Sequence, residues 1–395
     1  MSGWTALIVS ALAPVLLLTG CAGNPDFRPD RPHHTPEGFR NNYPHMEPQS
    51  FWKWRWERIW VDVPPPPRNG YRFEVVNGNA AELRANRSET TLTWIGHATL
   101  LLQVGGVNVL TDPIFSERAS PVGFLGPQRK VPVPIPLAEL PHIEVVLVSH
   151  NHYDHLDLPT LRALNAQAGG PPTFFAPLGV GALLRDEGIG TVVEQDWWQF
   201  TELQGLRIHQ VPAQLFSART PFDRNEVLWG GFVVEHPALR FYFAGDTGYS
   251  RDFADIGERL GPIDLAALPI GSYEPRWFMR AMHINPDEAV QAHRDLGARF
   301  SVAMHWGTFE MTDEAIDEPP KALARALQAH RVPPERFFVM KHGETRRLAP
   351  LLEGRIARDG CRDGTRPDPA HPDRTQPAGA GAGPASATPV PSADC

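Results

Sequence analysis

The residues Ser149-His150-Asn151-His152-Tyr153-Asp154-His155 follow directly on Glu144-Val145-Val146-Leu147-Val148, and that junction decides the fold. Positions 144–148 are a largely β-branched run that reads as a buried strand, so the histidines open a loop at its end. Protonated, three imidazoles crowded between positions 150 and 155 would repel one another; as neutral rings beside the Asp154 carboxylate they are borderline donors suited to Zn²⁺. Alternate residues of an extended loop point to opposite sides. His150 and His152 can therefore serve one ion while Asp154 and His155 serve another. The competing reading is a polar loop of surface histidines.

Two later stretches again end a buried strand in a donor. Phe241-Tyr242-Phe243-Ala244-Gly245-Asp246-Thr247-Gly248 delivers Asp246 into a glycine-loosened turn, where a carboxylate could bridge two ions, and Val302-Ala303-Met304-His305-Trp306-Gly307 delivers His305. A turn-capping aspartate or a satisfied core histidine would explain either one alone. Together with the His-rich array they point to a convergent metal centre. Strand candidates are 91–95, 100–104, 107–110, 144–148, 206–211, 227–234, 240–244, 265–270 and 300–304, and helix candidates are 158–167, 251–260, 286–296 and 320–329. Hairpins first and mixed αβ units later imply an α/β domain over 90–350, with two sheets packed face to face and helices outside.

Of the 395 residues 42% are hydrophobic and 21% charged, enough apolar side chain for a large core, which excludes wholesale disorder. With 37 basic against 45 acidic residues the net charge is -8, so no basic field exists for nucleic-acid phosphates and no nucleic-acid partner is expected. Three cysteines, Cys21, Cys361 and Cys395, cannot build a thiolate metal cluster.

The two ends read differently from the middle. Residues 1–20 read as a lipoprotein signal peptide, because the apolar run from Trp4 to Leu18 contains Pro14 and is shorter than the ~20 residues of a spanning helix. Leu18-Thr19-Gly20-Cys21 resembles a bacterial lipobox, so Cys21 would carry acyl chains; the lack of Lys or Arg before it departs from that pattern, and an uncleaved anchor or a misassigned start codon are the alternatives. Residues 21–48 suit a tether. Residues 49–89 form a Trp-rich arm, in which Phe51-Trp52-Lys53-Trp54-Arg55-Trp56-Glu57-Arg58-Ile59-Trp60 alternates aromatics with charges as a strand or interfacial segment would. It is either a membrane-facing aromatic and cationic patch or an arm packing its indoles on the domain. Residues 355–395 are Pro-, Ala- and Gly-rich and read as a disordered tail, though Cys361 and Cys395 could pair in an oxidising periplasm.

Over residues 40–347 the sequence resembles the metallo-β-lactamase superfamily and, within it, the N-acylphosphatidylethanolamine-hydrolysing phospholipase D family. The likeness is carried by Leu110-Thr111-Asp112-Pro113, the run from Ser149 to Asp157, Asp196-Trp197-Trp198, Phe243 to Tyr249, Tyr273-Glu274-Pro275-Arg276-Trp277-Phe278-Met279, and His305-Trp306-Gly307-Thr308-Phe309. The histidine array specifies the superfamily and the aromatic segments the phospholipases. The resemblance implies an αββα metallo-β-lactamase sandwich with a dizinc site along one edge of the sheets. One zinc would take His150 and His152, the other Asp154, His155 and His305, with Asp246 bridging. Asp154 and Asp246 would thereby act in catalysis, as would His283, which corresponds to a family histidine near the substrate phosphate. His283 could equally be only the residue ahead of a helix start at Asn285-Pro286. Asp112 would hold a ligand histidine from behind.

One position departs from the family. After Val211-Pro212-Ala213-Gln214 the family carries a histidine that completes the first zinc site, and this chain carries Leu215, which cannot donate to a metal. Gln214 or water could fill the open position, while His209 lies upstream on a strand and is poorly placed. Met282, where the family commonly has glutamine, is a milder departure. Losing even a partner behind a ligand typically costs about 10–100-fold in metal affinity or activity, so the first zinc is expected to be weakened.

Two ions ~3.5–4 Å apart would clamp a phosphodiester and let a metal-bound hydroxide attack phosphorus, releasing phosphatidic acid and an N-acylethanolamine. The expectation is a membrane-anchored bacterial phosphodiesterase facing the periplasm, with a phospholipid substrate, the bilayer as partner through Cys21, and a possible homodimer. An ester, lactone or amide hydrolase on the same frame is one alternative. A noncatalytic lipid-binding lipoprotein, after loss of the ligand at Leu215, is another.

Overall fold

The computed structural model describes residues 23–353 apart from 47, 48, 62 and 69. The expected signal peptide over 1–20, Cys21, Cys361, Cys395 and the residues from 354 onward lie outside the described residues. A small hairpin of β1 (His34–Thr35) and β2 (Gly38–Phe39) precedes helices α1 (Phe51–Glu57) and α2 (Ala80–Ala85). The first sheet is laid down by β3 (Thr91–Gly96), β4 (Thr99–Val104), β5 (Val107–Thr111), β6 (Val145–Leu147), β7 (Thr173–Pro177) and β8 (Val192–Gln195), with α3 (Leu158–Asn165) and α4 (Val180–Asp186) between its later strands. The second sheet takes β9 (Phe200–Leu203), β10 (Leu206–Val211), β11 (Gly231–His236), β12 (Leu239–Phe243), β13 (Leu265–Pro269), β14 (Phe300–Met304) and β15 (Phe337–Phe338). Its connections hold α5 (Asp252–Leu260), α6 (Arg276–Met279), α7 (Pro286–Asp295) and α8 (Pro319–His330). Finally β16 (Thr345–Arg347) returns to the edge of the first sheet beside β3.

The sheet orders are β16-β3-β4-β5-β6-β7-β8 and β15-β14-β13-β12-β11-β10-β9. Each is antiparallel where tight hairpins build it and parallel where longer crossovers do, from β5 to β8 and from β12 to β15; all of these crossovers but the first, from β5 to β6, carry an α-helix. Alternation decides which way each side chain of the first sheet faces. Leu92, Trp94, Leu100, Leu102, Val145 and Leu147 meet Phe232, Phe241 and Phe243 of the second sheet, whereas Ile95, Leu101, Leu110, Val146 and Val148 pack on Leu161 and Leu164 of α3 and Leu184 of α4. On the far side Phe253, Val290 and Leu323 bring α5, α7 and α8 onto the second sheet. This is the expected αββα metallo-β-lactamase sandwich.

Two expectations for the N-terminal part need correction. The run from Phe51 to Glu57 is a helix, capped by the Ser50 side chain accepting from Lys53 N, and not a strand. On a helix, Trp52 and Trp56 share one face and Trp54 points away from them. Trp54 stacks on Phe278 at 5.1 Å and donates Nε1 to Asp313 Oδ2 at 3.0 Å, while Trp52 and Trp56 are 78% and 64% exposed. The arm therefore packs one indole and presents the others.

The tether expected over 21–48 is, in its described part, a strap fastened to the domain. His33 Nε2 and His34 Nε2 lie 2.7 and 3.1 Å from the two oxygens of buried Asp196, His33 stacks on Trp197, and Tyr43 bonds Asp255. Its prolines and asparagines hide the anchoring, since single polar contacts leave no periodic signal. No helix among the described residues is long and apolar enough to cross a membrane.

Candidate metal centre

Four parallel strands deliver donors at their carboxyl ends, where open α/β sheets place their ligands. Asp112 follows β5, the array 150–155 follows β6, Asp246 follows β12 and His305 follows β14. Asp112 and His305 have positive φ, at 32° and 61°, as does His97 at 52° in the β3–β4 turn. Non-glycine residues held there cost on the order of 1–3 kcal/mol each, a strain that clusters at functional sites.

The second metal position is tightly drawn. Asp154 Oδ2 lies 3.2 Å from His155 Nε2 and 3.4 Å from His305 Nε2; Asp246 lies 3.1 Å from each imidazole, and the two Nε2 atoms are 3.1 Å apart. Donors at the corners of a tetrahedron with ~2.0–2.1 Å bonds stand ~3.3 Å from one another, so this set fits a Zn²⁺-sized ion. Asp246 Oδ1 and His305 Nδ1 are buried with no hydrogen-bond partner. Behind the set, Asp112 Oδ2 takes the Nδ1 proton of His155 at 2.6 Å and the Ser149 hydroxyl at 2.5 Å, and its Oδ1 accepts from Ser149 N at 2.7 Å. Fixing that proton on Nδ1 leaves the Nε2 lone pair facing the centre.

The buried carboxylates attract positive charge, which protons on His155 and His305 supply when no metal ion does. Burial opposes ionisation of Asp154 and Asp246, yet the His155 charge, with further help from hydrogen bonds and His305, holds both well below the ordinary carboxylate range. Burial also works against protonated His305, but Asp246 and the Asp154 bond push it up to about 9. His150 and His152 go the other way: burial lowers the first well below its ordinary value and the second to about 4, so both are neutral donors near pH 7.

The first metal position is less complete. His150 Nε2 and His152 Nδ1 are 2.9 Å apart, and Asp246 Oδ2 is 3.9 Å from His150 Nε2. Leu215, where the family would carry its histidine, is buried in an apolar cluster with Phe39, Trp197, Trp229, Ala281 and Met282. Neither substitute considered from the sequence steps in. Gln214 spends its amide on Ala281 O at 3.2 Å, and His209 pairs with Glu235 at 3.1 Å and packs on Phe200. His283 is more than a residue ahead of a helix: its Nδ1 is buried, makes no hydrogen bond and lies 3.9 Å from Asp246 Oδ2, and burial lowers its pKa to about 4.

One residue escaped the sequence reading. His97 donates from Nε2 to Asp154 Oδ2 at 2.9 Å, its carbonyl accepts from His305 N at 2.9 Å, and its ring lies 4.0 Å from that of His305. It thus ties Asp154 to the strand end that carries His305. Burial and the neighbouring His305 depress its pKa to about 3, so it acts as a neutral donor. The only signal was a histidine beside Gly96 in a tight turn between two apolar strands.

A cleft of about 810 Å³ leads away from His152, lined by Phe51 of α1, Phe216, Arg219, Arg224, Phe278 and Met282. Phe222, 89% exposed, sits within the loop that forms one rim, and Gln49 and half-exposed Phe51 line the cleft as well.

Residues 107–306 match a family profile described as a β-lactamase superfamily domain. The chain is 43% identical over 261 residues to the N-acyl-phosphatidylethanolamine-hydrolyzing phospholipase D 1 of Caenorhabditis elegans, a span of 62% of this chain and 72% of that protein. It is 31% identical over 265 residues to a metal-dependent hydrolase of Rubrobacter xylanophilus, covering 65% of this chain and 95% of the relative. Among solved structures, a possible metal-dependent hydrolase from Veillonella parvula superposes with a TM-score of 0.53 at 19% identity, over 66% of this chain and all of the other, a likeness of fold.

Proposed function

The chain belongs to the β-lactamase superfamily, alongside its N-acylphosphatidylethanolamine-hydrolysing phospholipases D, and from that premise we propose that this metal-dependent hydrolase cleaves the phosphodiester of an N-acylated membrane phospholipid. The observation that carries the reading is the cleft: aromatic side chains and two arginines lead from the exposed face of α1 to His152. Apolar walls suit acyl chains and guanidinium groups suit a phosphate. Arg55, and Lys53 beside Glu57, carry positive charge on α1, which suits an anionic membrane surface.

The oxygen and imidazole donors suit zinc, and divalent ions held here supply Lewis acidity at phosphoryl oxygen together with a water of lowered pKa. The protein's own part is positioning. Asp112 fixes the His155 tautomer, His97 fixes Asp154, and Asp246 stands between the two metal positions. Lipidation of Cys21 would hold the enzyme at the periplasmic membrane surface where its substrate resides.

The test is to incubate purified protein with vesicles containing N-acylphosphatidylethanolamine and to follow both products by mass spectrometry, with carboxyl-ester and lactone substrates in parallel. Release of N-acylethanolamine and phosphatidic acid is expected. Lactone or ester turnover without phosphodiester cleavage would favour the other hydrolase reading, and no turnover of any substrate the lipid-binding one.

A further inference from the structure

We propose that Arg219 is a positioning residue for the first metal position, and this rests on the reading of the centre as a metal site. It acts on His150 and His152 through the backbone of the array they belong to. Arg219 Nη1 donates to Asn151 O at 2.7 Å and to Leu156 O at 3.1 Å, so one nitrogen bridges the two ends of the turn that carries His152, Asp154 and His155. Asn151 and Leu156 are both buried, and their carbonyls need a protein donor to replace water. The Asn151 side chain is held from the same loop, since its Oδ1 accepts from Ala218 N at 2.9 Å. The residue between the two histidines of the first position is thus pinned at its backbone and at its side chain.

The guanidinium is itself fixed in place. Its carbon lies 3.9 Å from the ring centroid of Tyr153, a member of the array, and the Tyr153 hydroxyl donates to Arg219 O at 3.0 Å. Arg219 N in turn donates to the Asp223 carboxylate at 3.0 Å, which closes the loop that runs on from Leu215. A planar fork that is stacked and hydrogen-bonded at once is pre-organised to meet two carbonyls. The second metal position has supports of its own, Asp112 behind His155 and His97 beside Asp154. The influence of Arg219 therefore falls on His150 and His152. The loop that cannot donate a ligand at position 215 instead orders the two nitrogen ligands that remain, and donors ordered beforehand lose less freedom on gripping an ion.

The experiment measures zinc content and affinity, by elemental analysis after dialysis and by chelator competition, in the full chain and in Arg219→Met, Arg219→Lys, His152→Ala and the double variant of Arg219→Met with His152→Ala. The wild type is expected to hold two ions. Arg219→Met should weaken one of them about 10–100-fold and leave the other as it was. Arg219→Lys, whose ammonium also carries several protons on one nitrogen, should recover part of that loss. In His152→Ala the first position is already broken, so adding Arg219→Met should cost the remaining ion nothing further. A further loss in that background would reveal a general loosening of the loop and overturn the proposal. Near-UV circular dichroism checks each fold, and Arg219→Gln serves if the methionine variant does not fold. Two ions bound as tightly in Arg219→Met as in the wild type would also overturn it, while leaving the metal centre and the proposed function standing. No zinc in the wild type would overturn the metal centre itself, and with it the proposed function and the role of Arg219.

Discussion

Asn41 holds both backbone groups of Leu215, accepting from its N–H at 3.0 Å and donating to its carbonyl at 2.9 Å, across 174 positions of sequence. The loop that has lost a ligand is therefore not loose. Its backbone is clamped by the N-terminal strap.

Replacing Asn41 with alanine leaves two buried backbone groups unsatisfied, at about 1–3 kcal/mol each. A lower melting temperature and faster hydrogen exchange at the Leu215 amide are expected. An unchanged exchange rate there would show that the strap does not hold the loop.

Asp112→Asn should keep the fold and weaken the metal centre. The carboxylate accepts from His155, from the Ser149 hydroxyl and from Ser149 N, and an amide has a single acceptor oxygen to share among them. Zinc affinity should drop about 10–100-fold by chelator competition. Equal affinity in the variant would remove Asp112 from the centre.

The aromatic face of α1 predicts a split between neighbouring residues. Trp52→Ala with Trp56→Ala should lower binding to anionic phospholipid vesicles at least about tenfold while leaving the melting temperature alone, since both indoles are exposed. Trp54→Ala should instead cost about 3 kcal/mol of stability, because that ring is packed on Phe278. Undiminished vesicle sedimentation of the double variant would argue against a lipid-facing role for α1.

Acid should destabilise the protein through buried neutral histidines that donate to none of the proposed metal positions. Burial and nearby arginines depress His293 to about 4 and His342 to about 3, against 6.5 in an unfolded chain. As pH falls below about 6.5 the unfolded state takes up protons that the native rings refuse. Stability is therefore full above that pH and is lost toward pH 4, at up to ~1.4 kcal/mol per pH unit for each ring. Urea midpoints between pH 7 and 4.5 check this, and His293→Asn should flatten the slope by one ring's share; an identical slope would refute the assignment.

Much of the architecture was legible because it rests on local pattern. The strands at 91–96, 99–104, 107–111, 206–211 and 300–304 and the helices at 158–165, 252–260 and 286–295 follow from alternation, proline at helix starts and glycine turns. The strands at 173–177, 192–195 and 200–203 went unread. Each is four or five residues long, and Thr173-Phe174-Phe175-Ala176-Pro177 is a short buried run whose face only the neighbouring β6 reveals.

The sequence by itself determined the metal-binding chemistry of the loop after β6, because four donors lie within six consecutive residues, and it exposed the missing ligand at Leu215. Tertiary structure alone decided that His97 supports Asp154, that His283 turns toward Asp246, that positions 23–46 clamp the domain and that α1 is a helix facing outward. Those facts depend on which distant strand ends the two sheets bring together. Sequence periodicity reports which face of an element is apolar, and it carries no information about the partner that face will meet.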